Sequence, residues 1–125
     1  MTTSSLPSVP AAPALDAPRG IDVLGSREAL CMILRTALFS LSDDVPAISR
    51  ELDAGDVRAA SRRMHGIKGY LPIFASDQLV SEFFALEQLS KTASAATMVA
   101  GFSALQPLLE RLLDEIRQYL ELPPT

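Results

Sequence analysis

Apolar residues recur at alternating steps of three and four through four long stretches of this chain, the period of helices that bury one stripe. In the first stretch Leu30, Leu34, Ala37, Leu41, Val45, Ile48 and Leu52 keep that period across Pro46. Ser26 is placed to cap its N-terminus, and Glu28 in the first turn complements the helix dipole. The spacing predicts one helix to about Asp53, kinked near Pro46 by the missing N–H, in preference to two helices broken at Ser42-Asp43-Asp44. Ala54-Gly55 ends it, and Asp56 caps a second helix, Asp56 to Phe74, striped by Val57, Ala60, Met64, Ile67, Leu71 and Phe74. A third helix, capped by Ser76 or Asp77, is expected from about Gln78 to Lys91, with Leu79, Phe83, Leu86 and Leu89 facing inward. The last, from about Thr97 to Leu120, buries Met98, Phe102, Leu105, Leu109, Leu112, Ile116 and Tyr119 or Leu120, with a bend expected at Pro107.

Four amphipathic helices joined by short turns predict an all-α chain, an up-and-down antiparallel four-helix bundle with crossings of roughly 20°. Ahead of it, GIDVLG is expected to form a short N-terminal helical segment laying Ile21, Val23 and Leu24 across one end. Residues 1–18 hold four prolines among Ser, Thr and Ala and read as a flexible tail or linker, which leaves 19–122 as the folded domain.

Composition narrows the function. A chain of 125 residues is one domain, and a formal charge of −4 argues against a nucleic-acid surface. The longest apolar run, ALCMILRTALF, is short and interrupted by Arg35, so no membrane span is expected. No basic segment precedes an apolar one at the N-terminus, so no secretory leader is read. The lone Cys31 excludes an internal disulfide and suits the reducing cytoplasm. One histidine and one cysteine on different helices make no recognisable metal site.

The candidate chemistry lies on the second helix. At about 100° per residue, His65 falls at the edge of the buried stripe, on an outward strip with Arg58, Ser61, Arg62, Lys68 and Gly69. Gly66 and Gly69 each cost a helix interior roughly 1 kcal/mol relative to alanine. Helical side chains lean toward the N-terminus, so a residue at 69 would lie over the imidazole, and glycine leaves that approach open. By the same lean Lys68 runs back past the ring. A neutral imidazole nitrogen is a nucleophile, and an ammonium beside it would stabilise a phosphoryl group carried there. Periodicity alone suits an ordinary boundary histidine equally well.

The run His65-Gly66-Ile67-Lys68-Gly69, with Leu79 and Leu86-Glu87 on the next helix, resembles the histidine-containing phosphotransfer (HPt) domains of bacterial two-component phosphorelays. The likeness extends through ISRELDAGDVRAASRRMHGIKG and covers roughly residues 20 to 121. Ala75, where many members have glycine, and Pro72, late in the histidine helix, depart from the pattern. The resemblance implies a phosphorelay intermediate: His65 Nε2 takes a phosphoryl group from a receiver-domain aspartate and passes it to another receiver, assisted by Lys68 and Gly69. Glu87, with Gln88 as fallback, would hold Nδ1–H, although an exposed helix glutamate is the plain alternative. Arg58, Arg62, Gly66, Tyr70 and Ile73 would form the docking face, where a solvated basic face and ordinary core packing are the plain readings. Implied partners are receiver domains of response regulators or a hybrid sensor histidine kinase, with Mg²⁺ brought by the receiver, no cofactor on this chain and no ATP-dependent kinase activity of its own. A monomer is expected. Two other readings stay open, an HPt-like binding module that docks a kinase or receiver without carrying phosphate, and a structural or dimerisation bundle of other origin.

Overall fold

The computed structural model describes residues 12–122. They form six helices, α1 (Ala17–Leu24), α2 (Arg27–Asp53), α3 (Val57–Lys68), α4 (Leu71–Phe74), α5 (Asp77–Leu89) and α6 (Ala95–Glu121), and no strand among the described residues. Side-chain oxygens cap the long ones, at Ser26, Asp56 and Ser76 as the sequence leads one to expect and at Ser94 ahead of the start expected near Thr97. Ser26 accepts from the Ala29 N–H, Asp56 from Ala59, Ser76 from Leu79 and Ser94 from Thr97, each satisfying one of the orphan donors of a first turn. Pro46 and Pro107 both lie inside continuous helices.

α2 packs against α3 and α6, α5 packs against the same two, and α1 lies on α2 and α4. The core between them takes the stripes read from the sequence, from Leu30 to Leu52 on α2, Ala60, Met64 and Ile67 on α3, Leu79, Phe83 and Leu86 on α5, and Met98 to Ile116 on α6. At Gly20 a Cβ would come within 2.5 Å of the Leu30 side chain, so glycine is what allows α1 to lie this close on α2.

The structure corrects four expectations. The histidine helix does not run unbroken to Phe74: α3 ends at Lys68, Gly69 is its C-cap, and a separate four-residue α4 follows. The cause is Pro72, whose missing N–H and ring would meet the Lys68 carbonyl four residues back. Residues 1–11 lie outside the described set, but the end of the proposed tail is packed, with Ala14 fully buried and Asp16 capping α1. Pro18 is tolerated because it stands in the first turn of that helix. Val23 and Leu89, expected inside, are 59% and 42% exposed.

The segment before α1 also acts as a strap. Leu15 pairs with Ala75 in an isolated antiparallel bridge. The Asp16 N–H donates to the Phe74 carbonyl (2.6 Å) and the Ser76 N–H to the Ala14 carbonyl (2.7 Å). The Leu15 N–H donates to Glu115 on α6 (2.8 Å). Arg19 donates to the Ala75 carbonyl (2.6 Å) and pairs with Asp77. The α4–α5 connection is thereby pinned from outside.

Candidate functional site

α3 starts sharply because Gly55, at φ 82°, turns the chain before the Asp56 cap. With Ala60, Met64 and Ile67 buried against α2 and α5, the helix period turns His65 outward, and its side chain is 71% exposed. On α5, Leu79, Phe83 and Leu86 face the core. Glu87 adjoins Leu86 and lies one turn beyond Phe83, which brings its carboxylate to the seam with α3.

Glu87 is only 1% exposed, so it is no surface glutamate. Its Oε1 accepts from Lys68 Nζ at 3.1 Å and its Oε2 from Lys91 Nζ at 2.9 Å. Burial pushes its pKa up, but the hydrogen bonds and charges of Lys91 and Lys68 outweigh that and hold it below the usual carboxylate range. A buried carboxylate clamped by two ammonium groups stays ionised. His65 Nδ1 stands 3.7 Å from Glu87 Oε2, an electrostatic pairing rather than a hydrogen bond. A carboxylate only accepts, so of the two neutral tautomers of the ring it favours the one with the proton on Nδ1 and a free lone pair on Nε2.

The structure brings Lys68 to the site by another route than its expected lean past the ring. Its ammonium turns to Glu87 and lies 5.4 Å from the centroid of the Phe84 ring. Gly69 likewise has a different reason to be glycine. A Cβ there would meet no imidazole atom within 4 Å and would crowd the Gly66 carbonyl at 3.2 Å. Gly66 lies in the last turn of α3 and is exposed.

The basic cluster divides. Arg63 turns away to α2, where it donates to Glu51 (2.8 Å) and Asp44 (3.0 Å), and these hydrogen bonds raise its pKa. Arg58 and Arg62 are exposed and join Ser61, Ser90 and Lys91 in a shallow cleft of about 370 Å³ between α3 and the end of α5. Ser90 Oγ donates to Ser61 Oγ across this seam at 2.7 Å. Tyr70 and Ile73 are half-buried against the core. Tyr70 stacks on Phe74 at 6.1 Å between ring centroids. Its hydroxyl is buried without a hydrogen-bond partner among the described residues, and burial together with the charge of Asp44 pushes its pKa up to about 12.

Lys91 is the site residue that sequence reasoning missed. The signal was available, because Glu87 and Lys91 are spaced i,i+4 with the acid N-terminal, the favourable order. Among the described residues no three His, Cys, Asp or Glu side chains gather as a metal site would require, and no helix is long and apolar enough to cross a membrane. Compared with protein families, with curated proteins and with solved structures, the chain finds no match.

Proposed function

We propose that the chain is a histidine phosphotransfer protein in which His65 carries a phosphoryl group between receiver-domain aspartates. The observation that carries this reading is the exposed imidazole standing over a buried, ionised Glu87 that two lysines hold in place. In the same reading α2, α3, α5 and α6 make an up-and-down antiparallel four-helix bundle, with α1 as the N-terminal segment and α4 as an offset last turn of the histidine helix.

The chemistry follows from the charges. Nε2 attacks the phosphorus of an aspartyl phosphate, the N–P bond forms, and the P–O bond to the aspartate breaks to release its carboxylate. The ring keeps the proton on Nδ1 and becomes a phosphorylated imidazolium, whose new positive charge faces Glu87. The carboxylate therefore favours the product more than the starting ring, the differential that speeds a step. Lys68 and Lys91 keep Glu87 ionised, while Arg58 and Arg62, exposed and in no ion pair among the described residues, offer cations to an acidic partner surface. Mg²⁺ would come with the receiver, which supplies most of the charge neutralisation at phosphorus.

The test is incubation of the full chain with a panel of phosphorylated receiver domains. The expected result is an acid-labile, base-stable phosphate on this chain that is absent from His65→Gln. Because His65 is mostly exposed, that variant should fold as the parent does. Labelling of His65→Gln at the parent rate would refute the assignment, and stable docking of receivers without phosphate on either protein would favour the binding-module reading.

A further inference from the structure

The outer face of α2 carries an unexplained exposed aromatic. Phe39 is 82% exposed and Met32, one heptad before it, is 63% exposed. At about 100° per residue, Met32, Arg35, Asp43 and Pro46 all fall within about 40° of Phe39, in one strip. Arg35 and Asp43 are exposed, stand four residues on either side of Phe39, and make no ion pair or side-chain hydrogen bond among the described residues. Beside the ring lies a groove of about 540 Å³, lined by Arg35, Leu38, Phe39, Ser42, Asp43 and Arg117. One strip thus offers a knob, a groove, and two opposite charges at equal distances from the knob.

We infer that this face binds a second copy of the chain in an isologous dimer, with the two α2 helices antiparallel about a two-fold axis at Phe39. An antiparallel two-fold maps residue 39 + k onto 39 − k. Arg35 of each copy then meets Asp43 of the other, Met32 meets Pro46, and the two Phe39 rings meet on the axis, flanked by the two grooves. The symmetry of the charges about Phe39 selects a second copy over an unrelated partner, since self-complementarity is what a closed two-fold contact requires. The contact runs along α2 on its α6 side, where Arg117 lines the groove, whereas His65 lies on α3 facing α5. Both histidines stay open to solvent in the dimer. The dimer replaces the monomer expected from the sequence and does not depend on the phosphotransfer reading.

Sedimentation equilibrium of the full chain, up to several hundred micromolar, tests the inference. The expected result is a mass rising with concentration to twice that of the monomer. Phe39→Ser should remain monomeric throughout, with an unchanged circular dichroism spectrum because the ring is exposed. Arg35→Asp and Asp43→Arg should each weaken the dimer by at least about tenfold, and the double charge swap should restore it. A parent chain that is monomeric at every concentration would overturn the inference. So would a dimer indifferent to Phe39→Ser, or one that the double swap fails to restore.

Discussion

Replacing Glu87 by glutamine and by methionine separates what its charge does for the fold from what it does for His65. The carboxylate accepts two charge-assisted hydrogen bonds, each of a kind worth about 1.5–3 kcal/mol. Lys91 is 48% exposed, so its share is reduced by solvent screening, and burying the carboxylate costs several kcal/mol in the opposite direction. Glutamine keeps one acceptor but turns an amide NH₂ toward an ammonium, for a net loss of about 1–3 kcal/mol. In a chain of this size that lowers Tm by about 4–12 °C. Methionine removes the charge together with its desolvation cost, and the ammonium groups of Lys68 and Lys91, both partly exposed, can turn to water, so its loss should be smaller than that of glutamine.

The acid limb gives a second readout. Glu87 has a folded pKa below its unfolded value of about 4.3. Between the two values the unfolded chain binds more protons, so stability rises with pH there. The contribution is present above about pH 4.3 and is lost as pH falls through the folded value. Urea denaturation followed by circular dichroism across pH 3 to 7 should show a flatter acid limb in both variants. Nitrogen NMR of His65 should show a lower fraction of the Nδ1–H tautomer, and transfer should slow even where methionine keeps the fold stable. A glutamine variant as stable as the parent at pH 7, with the same acid limb, would refute the ionised cluster.

Gly66→Ala should raise stability by about 0.5–1 kcal/mol, because its Cβ meets nothing within 4 Å beyond its chain neighbours and helix backbone; a fall in Tm would show a close approach at that position. Tyr70→Phe removes a buried hydroxyl that has no partner among the described residues, so stability should hold or rise by up to about 1 kcal/mol. The alkaline absorbance titration should lose the step near 12, and a clear destabilisation would mean the hydroxyl is bonded. Lys68→Ala should cost about 1 kcal/mol, and Lys91→Ala less than about 0.5 because its end is half in water. Equal losses in the two thermal melts would contradict this ranking.

The helices were legible because each long one buries a single stripe and starts at a side-chain cap, both local signals. What escaped was set by contacts distant in sequence or by competing local rules. The period runs through Leu71 and Phe74, yet the Pro72 ring at the Lys68 carbonyl overrides it. Leu89 has the period of a core residue, but α5 ends there and it faces out. His65, Lys68 and Glu87 could be named from spacing and resemblance, whereas the burial of Glu87 and the turn of Lys68 toward it depend on how α3 meets α5. Arg63 turns to Asp44 and Glu51 on α2, partners that no pattern on its own helix announces. Tyr70 could be read either as a docking-face aromatic or as core, and its half-buried stacking on Phe74 depends on the turn into α4.

The strap at Ala14–Asp16 has a mechanical and kinetic consequence. Its hydrogen bond to Glu115 joins residues 100 apart in sequence, so it rewards the chain only after a very long loop has closed. It should form late in folding and open early in native-state exchange, with the amides of Asp16 and Ser76 released together. Tension applied to the chain ahead of Ala14 would be delivered to Ala75 and to the Ser76 cap of α5, the helix that holds Glu87 under His65.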